Sequence, residues 1–325
     1  MPTALGRGHC GGHITLFFTI EDVVDDPVQQ GSRGAGLCLK DGVEAIAKGE
    51  DGDGKLVVRF QHGTYDSTMY EDVLEELIRE IPEIQLFDWE LNIRMSLPAS
   101  QGFGMSASGA IASAISFQRA IGIPHEECLR RSFLIAHIVE RKRSSGLGDT
   151  TALSSGGVER RIAAGSPFSG GFLDTGPGIS EGWSTEIPVL LMWRDSTGKH
   201  TSKYIDNPDW KVKITRAGEN AMEIIGSGDW DSSRWGDLID GSLNFARDSG
   251  LEFDSSRSEI INAANDAIEK SGFSENLSAL LCMLGESVVI VPKYNFDEQE
   301  WLGELSSILE EIGFSTFSSQ IGSLR

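Results

Sequence analysis

The segment that most constrains this chain is a glycine-containing loop followed by a run of small residues. It reads LPASQGFGMSASGA from Leu97 to Ala110, after a strand-like stretch at 86–95, and small residues continue to Ala120. Such a run predicts a helix that packs closely against its neighbours. Glycine lets backbone amides approach a ligand, and the first turn of a helix offers unpaired N–H groups. The segment therefore predicts an anion-binding turn or, alternatively, a turn needed for close packing.

Two familiar nucleotide-binding motifs do not describe this loop. A Walker A loop would carry Gly-Lys followed by Ser or Thr, whereas Gly104 is followed by Met-Ser. A dinucleotide fingerprint would need a third glycine in register with Gly102 and Gly104, and that position is an alanine. The nature of any bound anion must therefore be inferred from the rest of the chain.

Hydrophobic periodicity predicts a mixed chain of strands and helices. Alternating segments predict strands at 14–20, 33–39 and 55–60, with a hairpin turn at 51–54. Further strands are predicted at 157–163, 187–193 and 287–292, and helices at 71–81, 106–120, 125–143, 211–226, 233–249, 257–271 and 297–312. The length of 325 residues exceeds one typical domain. We place the boundary near residue 180, which predicts lobes at 1–180 and 181–325.

Charge and cysteine content narrow the classes of partner. The chain has 28 basic and 49 acidic residues, which gives a formal net charge of −21. Such a field repels nucleic acid and anionic membrane surfaces, so we expect neither as a partner. Four cysteines lie singly, without zinc-site spacing, as in a reduced cytoplasmic protein. The apolar run at 14–20 is too short to span a bilayer, and a homodimer is the default expectation for the assembly.

Two acidic residues beyond the loop are candidates for chemistry. Glu140 lies on a predicted helix, one turn from His137, and Asp149 follows two glycines that allow a loop to turn it inward. Phosphoryl transfer needs a carboxylate or hydroxyl on Mg²⁺ and a second acid that orients the attacking alcohol. The alternative is structural: Glu140 pairs with Arg143 in solvent, and Asp149 caps the next helix. These residues alone leave both interpretations open.

The order of four motifs resembles that of the GHMP kinases, the superfamily named for galacto-, homoserine, mevalonate and phosphomevalonate kinases. The motifs are GHITLFF at 12–18, PxxxGFGMSA at 98–107, AHxVE at 136–140 and GLGD at 146–149. Within the superfamily the chain is most similar to archaeal pantoate kinases. That narrower resemblance rests on GSRGAG at 31–36, on the GFGMS form of the loop, and on Gly156-Gly157 followed by Arg161.

The resemblance implies a two-lobed α+β fold, with an N-terminal lobe like ribosomal protein S5 domain 2 and a ferredoxin-like C-terminal lobe. It also implies an ATP- and Mg²⁺-dependent kinase that phosphorylates the primary hydroxyl of pantoate, a small carboxylate, on the archaeal route to coenzyme A. A GHMP kinase acting on mevalonate, a phosphomevalonate or homoserine is one alternative. A non-catalytic regulator that binds a nucleotide or metabolite is another.

The resemblance also implies roles for individual residues. ATP would contact the loop residues Pro98, Gly102, Phe103, Gly104, Met105, Ser106 and Ala107. Ser106 and Glu140 would hold Mg²⁺, and Asp149 would act on the substrate hydroxyl, which makes these three the expected catalytic residues. Pantoate would be bound by Ser32, His137 and Arg161, with Ser202 and His13 as further candidates.

Three positions depart from the usual superfamily pattern. Met105 stands where many members have a metal-binding serine, and a thioether is a poor ligand for Mg²⁺. His13 stands where related kinases often have Lys or Arg, and a glycine-rich third motif is reduced to MLGES at 283–287. Ser106 is therefore the loop hydroxyl that we expect to serve the phosphates or the metal.

Overall fold

The structure is a computed structural model, and it describes residues 4–169, 175–184, 186–195, 204, 206–294 and 300–322. A six-stranded sheet forms its first half. Its strands are β1 (Ala4–Phe18), β2 (Gly34–Asp51), β3 (Leu56–Phe60), β4 (Phe87–Met95), β5 (Val158–Ala163) and β6 (Ile179–Trp183). The order across the sheet is β3-β4-β2-β5-β6, and β1 pairs with β2. Since the same part of β2 pairs with both β1 and β5, the N-terminal motif and the arginines of β5 lie on either side of β2.

The helices of this half are α1 (Thr68–Glu80), α2 (Met105–Ala120), α3 (His125–Lys142) and α4 (Asp149–Ser155). Helix α2 lies so close to β1 that there is no room for side chains at two positions of the strand. A Cβ on Gly8 would lie 1.9 Å from the Ala112 carbonyl oxygen, and one on Gly6 would lie 2.0 Å from that of Ser116. Alternate glycines of β1 thus allow the small-residue helix to pack directly on the strand backbone, and this packing fixes the position of its N-terminus.

A four-stranded antiparallel sheet forms the second half, with the order β10-β7-β9-β8. Its strands are β7 (Pro188–Trp193), β8 (Leu277–Leu281), β9 (Ser287–Pro292) and β10 (Ser315–Gln320). The helices are α5 (Pro208–Ile225), α6 (Trp235–Asp248), α7 (Ser255–Lys270) and α8 (Glu300–Glu311). Every residue of β9 is buried, so the middle of this sheet lies in the core. No helix in the described ranges is long and apolar enough to cross a membrane.

The two halves meet at the loop between β8 and β9. Thr15 of β1 forms an isolated antiparallel bridge with Met283, and the Ser287 hydroxyl donates to the carbonyl oxygen of Gln101. A Cβ on Gly285 would lie 2.0 Å from that same oxygen. The reduced third motif at 283–287 therefore packs directly on the glycine loop that precedes α2.

The α+β prediction is confirmed, whereas one local prediction is wrong. The chain turns at 51–54, but β2 and β3 do not form a hairpin, because β4 lies between them. The Asp88 carboxylate, at the start of β4, accepts hydrogen bonds from the backbone N–H groups of Asp53 and Lys55, and so holds that turn. Strands β6, β8 and β10 and the short helix α4 were not predicted. The domain division at residue 180 stays a prediction; β6 runs across that point and pairs with β5.

Candidate active site

A cavity of about 330 Å³ lies where the two halves meet. The glycine loop and first turn of α2 form one wall, the loop from Ser145 to Asp149 forms another, and residues 283–285 close a third side. Aromatic and apolar side chains line a further part of it: Phe60, Tyr65, Met69 and Tyr70. The cavity is therefore lined by a turn that can bind anions, by an apolar patch that can contact a flat ring, and by Asp149, one of the two candidate acids.

The glycine loop presents its backbone to this cavity. Gly104 is the N-cap of α2, with φ 66°, and a Cβ there would lie 2.9 Å from the carbonyl oxygen of His13. No side chain caps the helix, so the N–H groups of its first turn face the cavity region without an intrahelical partner. Residues 102–106 line the cavity, whereas Pro98 and Ala107, also predicted to contact ATP, are not among its lining residues.

Glu140 of α3 lies directly behind the cavity wall. Its side chain is buried, and it accepts hydrogen bonds from the hydroxyls of Ser145, at 2.7 Å, and Ser106. Its Oε2 has no hydrogen-bond partner in the described chain. Burial and the nearby Asp149 charge raise the pKa of Glu140 to about 7, against the opposing effect of the two hydroxyls. Among the described residues this carboxyl forms no salt bridge, although the nearby Arg141 charge also acts to lower its pKa.

Asp149 begins α4 and lines the cavity, with about a fifth of its side chain exposed. Its Oδ1 lies 2.5 Å from Nδ1 of His13, and Thr15 also bonds to it. Burial alone would raise the pKa of Asp149, but the hydrogen bond and charge of His13, with Arg161 and Thr15, lower it below the ordinary value. Asp149 is thus held as a carboxylate at the cavity surface.

Glycines bring the two acids together. A Cβ on Gly146 would lie 2.0 Å from Glu140 Oε2 and 2.9 Å from Asp149 Oδ2. Both carboxylates therefore converge on one residue of the loop between α3 and α4, which has to be glycine. The structural alternative for Glu140 fails here, because Arg143 instead donates to Asp72 and to Thr68. Asp149 does not cap α4 either; the N-cap is Gly148, and no side chain caps the helix.

Arg161 of β5 is the arginine whose charge helps to lower the pKa of Asp149. It has no exposed surface, and none of its three guanidinium nitrogens has a hydrogen-bond partner in the described chain. A Cβ on Gly148 would lie 2.7 Å from its Nη1 and 2.3 Å from the Ser32 hydroxyl oxygen, and Ser32 lines the cavity. Its neighbour Arg160 points to the other face of β5, where it pairs with Glu181.

The two histidines expected to bind substrate face other protein groups. Both ring nitrogens of His137 are occupied, at 3.0 Å from the Thr150 hydroxyl and 3.0 Å from the carbonyl oxygen of Pro27. Burial lowers the pKa of His137 to about 4, so this ring is neutral. His13 is fully buried between Asp149 and Glu159 and does not line the cavity. Ser202 lies outside the described residues.

Sequence reasoning missed several residues of the site. Thr15 bonds to Asp149 and, like Arg143, lines the cavity, and Glu159 contacts the nitrogen of His13 that faces away from Asp149. A signal for Glu159 was present, since an acid beside two arginines within a short strand has to be compensated when that strand is buried. Its partner His13 lies 146 residues away, however, so no local pattern could identify the contact.

A metal at this site would not be enclosed by protein ligands. Within the described ranges there is no group of three or more His, Cys, Asp or Glu side chains arranged to hold a metal ion. Mg²⁺ usually keeps several waters and takes one or two carboxylates together with substrate phosphates. The unpartnered Oε2 of Glu140, with the Ser106 hydroxyl beside it, fits that kind of site.

Comparison with known proteins agrees with this geometry. The family model described as GHMP kinases N terminal domain matches residues 68–157, from α1 to the residue before β5. A curated pantoate kinase from Thermococcus kodakarensis is 30% identical over 174 residues, covering 50% of this chain and 54% of that protein. The match therefore spans about half the length of that relative. A pantoate kinase from Methanospirillum hungatei is 28% identical over 290 residues, covering 87% of this chain and 86% of that protein.

A solved structure shares the fold over the length of the chain. It is named a phosphotransferase related to CoA biosynthesis pathway, and it superposes with a TM-score of 0.76 at 24% identity, covering 99% of this chain and 97% of the other. At this identity the likeness shows the fold. The family match at residues 68–157 agrees with the resemblance seen in the motifs: this segment is similar to the GHMP kinases N terminal domain. Both of the curated relatives described above are named pantoate kinase.

Proposed function

We propose that this protein is an ATP- and Mg²⁺-dependent kinase that phosphorylates the primary hydroxyl of pantoate, a step on the route to coenzyme A. The observation that carries the proposal is convergence. The open N-terminus of α2, the two acids that meet at Gly146 and the buried Arg161 lie around one cavity, although they come from four separate segments. The names of the two curated relatives support pantoate as the acceptor.

The nucleotide would lie along the glycine loop. The amides at the start of α2 and the helix dipole favour the negative charge of phosphate groups, and they are already in place. Ser106, in the same turn, also lines the cavity. The apolar wall formed by Phe60, Tyr65 and Met69 gives a flat base a surface to contact.

Glu140 and Ser106 would hold the metal. Mg²⁺ held there would supply positive charge that offsets the negative charge of the phosphate groups. The raised pKa of Glu140 and its unpartnered oxygen are what a bound cation would correct. Met105 contributes apolar packing instead of a ligand, since its side chain is buried at the first position of α2.

Asp149 would orient the substrate hydroxyl and accept its proton. Its Oδ1 is bonded to His13, while its Oδ2 approaches Gly146 on the cavity side. A carboxylate with a lowered pKa is a weak base, but phosphoryl transfer through a loose transition state depends more on alignment than on early proton removal. Helix α2 would then stabilise the charge that develops on the transferred group.

The acceptor would carry a negative group toward Arg161. A buried guanidinium without hydrogen-bond partners is costly unless a ligand supplies acceptors. A carboxylate matches it in charge and in bidentate geometry, and the Ser32 hydroxyl beside it can donate to the same group. Pantoate, with a carboxylate and a primary hydroxyl, has the two features that Arg161 and Asp149 require.

An acceptor screen tests this function. ADP release would be followed with ATP, Mg²⁺ and, separately, pantoate, mevalonate, phosphomevalonate and homoserine, and phosphorus NMR would identify the product. We expect pantoate to give the highest kcat/KM and a phosphate monoester on its primary hydroxyl. A faster reaction with another alcohol would replace the acceptor. ATP binding without any phosphorylated product would contradict the kinase proposal itself.

A cytoplasmic location and a homodimer are further parts of the proposal. All four cysteines are free and buried, as is usual in a reducing compartment. Light scattering of the purified protein would measure its mass in solution, and a value near 35.3 kDa would contradict the dimer.

A further inference from the structure

Glu159 of β5 is a buried carboxyl group whose position needs an explanation. It has no exposed surface and does not line the cavity. Its Oε1 lies 3.0 Å from Nε2 of His13, and its Oε2 has no hydrogen-bond partner in the described chain. The nearest Arg161 nitrogen is 3.7 Å away, too far for a normal hydrogen bond. A buried carboxylate with so few donors is costly unless it serves another group.

His13 is the group that Glu159 contacts, and it connects Glu159 to Asp149. Nδ1 of the same ring lies 2.5 Å from Asp149 Oδ1, so both ring nitrogens face a carboxylate oxygen. A neutral imidazole has one N–H, and its other nitrogen would point a lone pair at a carboxylate. A doubly protonated ring donates at both ends. The geometry at His13 is therefore that of an imidazolium between two carboxylates.

We propose that Glu159 is a positioning residue that acts through His13: it holds the ring doubly protonated, and the ring fixes Asp149 Oδ1 so that Oδ2 receives the substrate hydroxyl. This inference rests on the proposed function, because it assigns a purpose to the orientation of Asp149. Neither Glu159 nor His13 touches the substrate in this account. His13 thus supports the acid instead of binding pantoate.

The charges around the ring support this arrangement. The titratable and charged groups nearest to it are Asp149 on α4, Glu159 and Arg161 on β5, Glu140 on α3 and Cys38 on β2. Burial by itself lowers the pKa of His13, but its bonds and charge interactions with Asp149 and Glu159 outweigh that effect and raise it above the ordinary value. With Arg161 beside them, His13, Asp149 and Glu159 form a balanced group of two positive and two negative charges.

The decisive variant is Glu159→Gln, which keeps the shape of the side chain and removes its charge. We expect kcat to fall about 10- to 100-fold, the usual loss when a residue that orients a functional group is removed. KM for ATP and for the acceptor should stay within about twofold, because neither ligand contacts Glu159. His13→Asn gives a second measurement, since its amide can still donate to Asp149; it should retain more activity than His13→Ala. His9→Asn is the matched control, an exposed histidine on the same strand, and should leave kcat unchanged.

Nitrogen NMR of histidine-labelled protein reads the ring directly. We expect His13, assigned by its loss in the His13→Asn spectrum, to be doubly protonated at pH 8 in the wild type and neutral in Glu159→Gln. A neutral ring in the wild type would overturn the inference. So would an unchanged kcat in Glu159→Gln, or a higher acceptor KM at constant kcat in His13→Asn, which would make His13 a substrate-binding residue. These failures differ from that of the proposed function, in which the wild type phosphorylates no acceptor whatever the state of the ring.

Discussion

Two arginines of the described chain, Arg161 and Arg257, have no exposed surface, and the protein treats them in opposite ways. Arg257 of α7 donates to the carbonyl oxygens of Gly285, at 3.0 Å, and Leu284, at 2.9 Å, and to the Tyr204 hydroxyl, at 2.9 Å. Arg161 of β5 makes no hydrogen bond to the described residues. The Arg257 guanidinium thus has hydrogen-bond acceptors within the fold, whereas the N–H groups of the Arg161 guanidinium have none among the described residues.

The difference indicates that Arg257 supports the fold, whereas Arg161 is a candidate for binding a ligand. Arg257 holds the loop at 283–285 against the glycine loop, so it shapes the cavity without entering it. Arg161 gains no hydrogen bond from folding, although one of its nitrogens lies 3.7 Å from the Glu159 carboxylate, and a buried donor without an acceptor is an energetic cost. Such a cost is expected where a ligand completes the set of hydrogen bonds. The four predictions below test this contrast between a completed and an incomplete buried region.

The largest effect is expected at Asp149, in the incomplete region. Asp149→Asn should lower kcat about 10²- to 10⁴-fold, because the carboxylate that orients the hydroxyl and accepts its proton is lost. ATP affinity, measured by calorimetry, should change little, since the nucleotide is held by the loop before α2. Asp66→Asn, an exposed acid on the same cavity wall, is the control and should retain most activity. Near-normal turnover by Asp149→Asn would make Asp149 structural.

The two arginines can be compared directly by the same substitution. Arg257→Met should destabilise the protein by about 3–5 kcal/mol, because buried carbonyl oxygens lose their donors. Arg161→Met should cost clearly less, since it breaks no hydrogen bond, but should raise the KM for a carboxylate acceptor about 10- to 100-fold, the value of a charged hydrogen bond. Urea unfolding and acceptor titrations measure both. Equal losses of stability in the two variants would remove the contrast.

The pH dependence of stability sharpens the same contrast at Glu140. Its pKa is about 7 in the folded protein against an ordinary 4.5, so the folded state binds this proton more tightly than the unfolded state. Without metal, the unfolding free energy of the wild type should therefore fall, relative to Glu140→Gln, as pH rises from about 4.5 to about 7. Added Mg²⁺ and nucleotide should reverse this difference in the wild type. Parallel pH curves for the two proteins would show that Glu140 is already compensated by the fold.

The smallest effect is expected at the edge of the cavity. Arg143 pairs with Asp72 and Thr68, and the ion pair with Asp72 is partly exposed. Arg143→Gln should change the unfolding free energy by less than about 1 kcal/mol, as is typical of such pairs. Urea unfolding beside Arg257→Met tests this. A loss as large as that of Arg257→Met would mean that exposure does not weaken an arginine contact here.

Features that depend on residues close together in the chain could be predicted from the sequence. The glycines at 102 and 104 and the small residues of α2 indicated a tight turn before a closely packed helix, and both are found. Successive residues of a strand face opposite sides, and Arg160 and Arg161 of β5 follow this rule. By contrast, β1 is far longer than predicted. Its first part was not recognised because Gly6, Gly8 and Gly12 remove the apolar alternation by which a strand is predicted.

Contacts between distant segments could not be predicted. Strand β10 is mostly Ser and Thr, and it is recognisable as a strand by its pairing with β7. Asp149 contacts His13, which lies 136 positions away in the sequence. Glu159, which contacts the other nitrogen of the His13 ring, lies on a third element. The motifs thus provided the candidate residues, whereas the long-range pairing decided which of them reach the cavity.

The most direct test of the account is a crystal structure with a non-hydrolysable ATP analogue, Mg²⁺ and pantoate. The account predicts the terminal phosphate between the start of α2 and Asp149, Mg²⁺ on Glu140 with Ser106, and the pantoate carboxylate on Arg161. A nucleotide bound away from α2, or a pantoate carboxylate that leaves Arg161 without a partner, would contradict it.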